Sequence, residues 1–167
     1  MIIGGGNVAA RKAATLLESG ASVHFIATEI SVPIRGFAAS RTNVSFDERQ
    51  YDGPSDLRDA DIVIAATDDG SLNARIARDA RTLHRLVSVV TSQGEGNFTS
   101  MAVHRAGALL IGVGTGSLPG AAPRIRDALA GRFYARSAST IARCATIRTE
   151  SLAGNRDDWA RASRDLI

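Results

Sequence analysis

The chain has 167 residues, enough for one compact domain with a small appendage, and its 44% hydrophobic content is ordinary for a protein that folds in water. No run of about eighteen uncharged apolar residues occurs, and no basic segment leads into a signal-type apolar stretch, so the expectation is a cytoplasmic protein without a membrane span. Charge divides unevenly: residues 1–84 hold 9 Arg/Lys against 11 Asp/Glu, net −2, and residues 85–167 hold 11 against 6, net +5. The basic half suits an anionic partner or a solvated arginine-rich surface. Its arginines are spread out and aromatics make up only 5% of the chain, so neither a dense phosphate patch nor stacking platforms for nucleic acid stand out. The single cysteine, Cys144, excludes an internal disulfide; without partners at ligand spacing it reads as a packing residue of a tail helix.

In chain order, Ile2-Ile3 is the stub of a strand, and Asn7 to Ser19 carries Val8, Ala9, Ala13, Leu16 and Leu17 at helical spacing. Gly20 stands where a left-handed helix terminator belongs. Ser22 to Ala27 reads as a strand, Ile34, Phe37 and Ala38 after Pro33 as a short helix, Val44 to Phe46 as a strand, and Tyr51 to Pro54 as a turn. Ile62 to Ala66 has the look of a buried parallel strand. Asp68-Asp69-Gly70 is then a loop at its carboxyl end and Ser71 the N-cap of a helix through Arg81. Leu86 to Val90 repeats the strand pattern.

Strand alternating with helix argues for βαβ units and a parallel sheet covered on both faces, with ligands gathering at the carboxyl ends of the strands. From Gly94 the texture changes. Thr99 to His104 and Leu109 to Val113 pair as strands around Arg105-Ala106-Gly107, and a helix runs from Ala121 to Ala130. Arg132 to Ile167 reads as two thinly apolar amphipathic helices broken near Gly154, with Asn155 or Asp157 as the second cap and Trp159 and Leu166 on the apolar face. Helices so sparsely apolar need a partner surface, such as a subunit interface.

Gly4-Gly5-Gly6-Asn7-Val8-Ala9 has the form G-x-G-x-x-A between a strand and a helix. Gly4 permits the tight turn, Gly6 lets a diphosphate approach the backbone, Ala9 allows close helix–strand packing, and the free amides of the helix start favour the phosphates. Thr28 or Glu29, just past the second strand, is placed to hydrogen-bond the adenosine ribose, which favours NAD over NADP because a carboxylate repels a 2′-phosphate. Arg35 or Arg41 would reverse that preference. The run "AATDD", with Thr67 and Asp68, ends a later strand where a nicotinamide ribose would lie.

Five blocks carry a resemblance: "GGGNVAARK" (Gly4 to Lys12), "DIVIAATDDGSLN" (Asp61 to Asn73), "LVSVV" (Leu86 to Val90), Asn97-Phe98 followed by His104-Arg105, and "GTGSLPGAAPRIRDAL" (Gly114 to Leu129). Together they are similar to precorrin-2 dehydrogenase, the NAD-dependent enzyme of siroheme synthesis that also forms the N-terminal part of siroheme synthases. The resemblance implies an α/β fold: a Rossmann-type parallel sheet with helices on both faces over 1–93, a small dimerisation sheet and substrate segment over 94–131, and a helical tail over 132–167, assembled as a homodimer. It implies oxidation of precorrin-2 to sirohydrochlorin, with NAD held by Gly4, Gly6, Asn7, Val8, Thr28, Glu29, Thr67 and Asp68. The substrate's eight carboxylate arms would meet Arg105, Gly116, Ser117, Arg124 and Arg126. Where the family reads Asn-Val-Val-Asp, this chain has Ser88-Val89-Val90-Thr91, so the aspartate implied as acid/base is Thr91, leaving Asp68 and His104 as the other catalytic candidates. No cluster of metal ligands is evident, and iron insertion is not expected. A second reading is a homologue that binds NAD or a tetrapyrrole without turnover, as sensor or carrier, with Thr91 its main support.

Overall fold

The computed structural model describes the chain apart from Gln93, Ala108, Ser117, Pro119, Phe133, Tyr134 and 154–167; within 135–138 and 151–153 it describes the helical backbone only. Two compact units result, Met1–Thr99 and Ser100–Ile167. In the first, strands β1 (Ile2–Ile3), β2 (Val23–Ala27), β3 (Val44–Glu48), β4 (Ile62–Ala65) and β5 (Leu86–Val89) form a parallel sheet in the order β3-β2-β1-β4-β5. Helices α1 (Asn7–Glu18), α2 (Val32–Ser40) and α3 (Gly70–Thr82) and a 3-10 turn at Pro54–Leu57 make the crossovers.

The apolar strands read as continuous because neighbouring side chains enter opposite cores. Ile2, Phe25 and Ile64 pack with Ala9, Ala13 and Leu17 of α1 and Ile34 of α2. Ile3, Ile26, Val63, Ala65 and Val87 pack with Leu57 and with Ile76, Ala77 and Ala80 of α3. Ile76 is fully buried, an arrangement that stabilises by about 1.5–3 kcal/mol for a side chain of that size. The alanines let both helices lie close to the sheet, as expected of Ala9, and Gly20 ends α1 with φ +80° as its position predicts.

Several boundaries differ from the sequence reading. Helix α3 is capped by Asp69, not Ser71: the Asp69 carboxylate accepts from Ser71 N (2.8 Å), Leu72 N (3.2 Å) and Ser71 Oγ (2.6 Å), so the helix opens one residue before Ser71. Those hydrogen bonds, that of the Ser71 hydroxyl first, hold the Asp69 carboxyl below its ordinary pKa. Pro33 lies inside the first turn of α2, where its missing N–H costs nothing, and β3 runs on to Glu48.

The free edge of β5 is closed by Asn97, whose side chain imitates a neighbouring strand. Its Oδ1 accepts from Val87 N (2.6 Å), its Nδ2 donates to Arg85 O (3.0 Å), and its backbone N donates to Val87 O (2.9 Å).

In the second unit, β6 (Ala102–Ala106) and β7 (Leu109–Val113) form an antiparallel pair, followed by α4 (Ala121–Arg132) and α5 (Ala135–Ala153). The first strand starts and ends later than Thr99 to His104. Arg105 and Ala106 pair with Leu110 and Leu109, so the reversal falls at Gly107, whose φ is +57°. Cys144 is buried in α5, in keeping with a packing role. The second tail helix, with Asn155, Asp157, Trp159 and Leu166, lies outside the described residues. Among those residues no helix is long and apolar enough to cross a membrane.

Candidate functional site

The three opening glycines have three different surroundings. The chain leaves β1 through Gly4, whose N donates to Ile26 O of β2 at 2.9 Å and whose φ of +128° favours glycine. A Cβ there would stand 2.2 Å from Ala66 O, at the exit of β4. At Gly5 a Cβ would stand 1.8 Å from Glu29 O, beyond the exit of β2, while Gly5 O accepts from Ser31 N at 2.9 Å. At Gly6 a Cβ would meet nothing within 4 Å. The turn thus passes between the ends of β4 and β2, at the point where strand order reverses, and opens outward at its third residue. Sequence reasoning assigned roles to Gly4 and Gly6 and missed Gly5, because its constraint comes from a carbonyl 24 positions away.

Gly6 is the N-cap of α1 and lends no side-chain acceptor to the first-turn amides; that turn has no acidic residue, and Asn7 and Val8 are exposed on it. Unopposed N–H groups plus the positive end of the helix dipole are what a diphosphate needs. Thr28 and Glu29 are exposed at the end of β2. Arg35 is held elsewhere: it pairs with Glu48, donates Nε to Ile30 O (3.2 Å) and lies 5.4 Å from the Phe46 ring centre. Arg41 is exposed after α2. Of the two arginines, Arg35 is so committed and Arg41 is not.

The NAD_binding_7 family model, described as NAD(P)-binding, matches residues 1–102, which includes this whole turn and sheet. The chain belongs to this NAD(P)-binding family. Among curated proteins it is similar to the siroheme synthase of Saccharophagus degradans, 33% identical over 130 residues, covering 77% of this chain and 28% of that protein. Siroheme synthase of Chromobacterium violaceum is 35% identical over 130 residues (77% and 27%). That of Sodalis glossinidius is 29% identical over 172 residues (97% and 36%). The chain therefore spans about a third of the length of the curated relatives it matches. Among solved structures, SirC, a precorrin-2 dehydrogenase, superposes with a TM-score of 0.75 at 21% identity, covering 99% of this chain and 80% of that one. That likeness establishes the fold, and the siroheme synthases bear out the resemblance carried by the sequence blocks.

The loops after β4 and β5 are joined through Asn73, a residue of α3 with no solvent exposure. Its Oδ1 accepts from Thr67 N (3.1 Å) and Thr67 Oγ1 (2.8 Å), and its Nδ2 donates to Thr67 O (2.9 Å) and Thr91 Oγ1 (3.3 Å). Thr67 and Thr91, proposed from sequence, are thus brought together, and Asp68 is exposed beside them in the chain. Asn73 closes the Asp61–Asn73 block, but nothing local marks a polar residue on a helix as buried.

The remaining candidates lie in the second unit. His104 sits in β6 opposite Ile111, and its Nε2 is buried with no hydrogen-bond partner among the described residues. Arg105, one position on, points to the other face of the pair and is exposed. Gly116 turns with φ +57° ahead of α4. Arg124 is exposed on α4, whereas Arg126 is paired with its neighbour Asp127 (Nε to Oδ1 2.8 Å), which reduces its charge toward an anionic ligand. Ser117 lies outside the described residues.

Proposed function

We propose that the chain oxidises precorrin-2 to sirohydrochlorin with NAD⁺, in siroheme formation. The observation that carries the reading is the glycine turn: two glycines whose Cβ positions are filled by the ends of neighbouring strands and a third that faces open space beside uncapped helix amides. Siroheme synthase relatives supply the substrate class. In this reading residues 1–93 hold the dinucleotide, and residues 94–131 meet the substrate and a second copy. The amides of Asn7 and Val8 bind the diphosphate, and Thr28 and Glu29 bind the adenosine ribose and select NAD over NADP. The loop of Thr67 and Asp68 faces the nicotinamide, while Arg105 and Arg124, exposed and cationic, hold carboxylate arms.

NAD⁺, when bound, supplies the hydride acceptor. The chain's task is to fix donor against acceptor, an orientation that contributes about 7–11 kcal/mol where it is well made, and to take the proton that leaves the substrate. A threonine hydroxyl is no base near neutral pH, so Asp68 or His104 accepts that proton. Asp68→Asn and His104→Asn separate them: the variant that removes the acceptor lowers kcat by about 10²–10⁴ and the other does not. Turnover is read as NADH absorbance with precorrin-2, NAD⁺ being preferred to NADP⁺. Dinucleotide binding without any NADH would replace the dehydrogenase with the carrier or sensor reading that Thr91 favours.

A homodimer is part of the proposal, and the second unit supports it. The β6–β7 pair packs against α4, yet around it Met101 and Leu110 are 56% and 54% exposed. A second copy covers that surface. Sedimentation equilibrium finds a dimer, and Leu110→Asp converts it to monomer; a monomeric wild type would refute the assembly.

A further inference from the structure

The amide orientation of Asn73 is settled by chemistry. Thr67 N is a donor only and Thr67 O an acceptor only, so Oδ1 must face the first and Nδ2 the second. The remaining Nδ2 proton then points at Thr91 Oγ1, 3.3 Å away. Thr91 Oγ1 is thereby an acceptor toward the protein interior, and its own proton is directed elsewhere. Thr91 is exposed and follows the carboxyl end of β5, beside the loop that follows β4.

We infer that Thr91 is a hydrogen-bond donor to an acceptor oxygen of the bound ligand, and that Asn73 is the positioning residue that sets this direction. The inference rests on the dinucleotide and tetrapyrrole reading above, and it gives Thr91 a task opposite to that of a carboxylate there: it offers a proton in a hydrogen bond and removes none. Two oxygens share the required chemistry, the carboxamide oxygen of nicotinamide and a carboxylate arm of the substrate. Fully buried, Asn73 makes four hydrogen bonds, two of each sense, so it holds the loops after β4 and β5 in one mutual position.

The test uses the whole chain and two ligands separately, NAD⁺ by calorimetric titration and sirohydrochlorin by absorbance titration. Thr91→Val deletes the hydroxyl at nearly constant shape and weakens one ligand, by about tenfold or more where the acceptor is a carboxylate and by about two- to tenfold where it is the neutral carboxamide. Thr91→Ser keeps the donor and stays close to wild type. Weakening of NAD⁺ alone assigns the acceptor to the carboxamide; weakening of sirohydrochlorin alone assigns it to a carboxylate. Asn73→Asp keeps an acceptor for Thr67 N but loses the donor to Thr67 O and turns the Thr91 hydroxyl inward, so it loses at least the affinity that Thr91→Val loses. Should Asn73→Asp not fold, the Val/Ser pair at Thr91 decides alone. Unchanged affinity for both ligands in Thr91→Val, or an equal loss in Thr91→Ser, overturns the inference. Binding of both ligands by the wild type with no NADH formed defeats the dehydrogenase reading and leaves the affinity comparison intact.

Discussion

Gly6→Asp eliminates measurable dinucleotide binding while the protein remains folded, and melts no earlier than the wild type. The two halves of this result have one cause. Gly6 has φ −87° and ψ −172°, extended values open to any residue, and its Cβ position is vacant to 4 Å. Aspartate is among the best N-cap residues: its carboxylate accepts from the amides two and three positions on, which are Val8 and Ala9, and adds about 0.2–0.5 kcal/mol to the helix over glycine. The Val8 amide is one of the two assigned to the diphosphate. Capping it internally removes a charge-assisted hydrogen bond of about 1.5–3 kcal/mol and sets a negative charge against the phosphates. Loss of that bond alone is a weakening of about tenfold or more, and the repulsion between carboxylate and phosphates adds to it. Gly6→Ala fills the space without adding charge and lies between the two. Calorimetric titration with NAD⁺ and a thermal melt of the same samples give both readings, and Gly6→Asp protein that still binds NAD⁺ at wild-type strength removes the phosphate site from this turn.

What the sequence made legible follows from range. The alternation of strand and helix, the dinucleotide turn, and the burial of Ala9, Ala13 and Ile64 depend on periodicity and on residues a few positions apart. Asp69 escaped as the cap of α3 because Ser71 is an equally good capping type two residues away, and only the extended backbone at Asp69 decides between them. Asn97 was recognisable as part of a motif, but its work is done on Val87 and Arg85, across a loop whose path no local rule gives. Asn73 is the hardest case. A polar residue in a helix rich in charge reads as solvated, and its burial is meaningful only once Thr67 and Thr91, 24 residues apart, are seen to meet over it. Site residues supplied by one segment were readable; those that join segments were not.

The same distinction governs Gly5, where alanine costs stability before it costs binding. Its Cβ would lie 1.8 Å from Glu29 O, 2.9 Å from Glu29 C and 3.0 Å from the Ala27 Cβ. The obstacle is backbone, and it cannot rotate away as a side-chain tip would. Nor can the two segments separate freely, since Gly4 N to Ile26 O and Ser31 N to Gly5 O, both 2.9 Å, tie them together on either side of the contact. Relief therefore breaks at least one of these bonds and shifts the end of β2. Overpacking of this kind costs about 1–3 kcal/mol, and a lost hydrogen bond adds about 0.5–1.5 kcal/mol. Against a total of about 5–15 kcal/mol for an ordinary domain, Gly5→Ala lowers the urea midpoint markedly at constant slope. Because Thr28 and Glu29 move with the strand end, NAD⁺ affinity falls in whatever fraction remains folded. Gly6→Ala, one residue on, meets no such contact and lowers the midpoint less, by no more than a poorer N-cap residue costs. A Gly5→Ala midpoint equal to that of the wild type would mean that the turn does not press against Glu29, and the separation of tasks among the three glycines would fail with it.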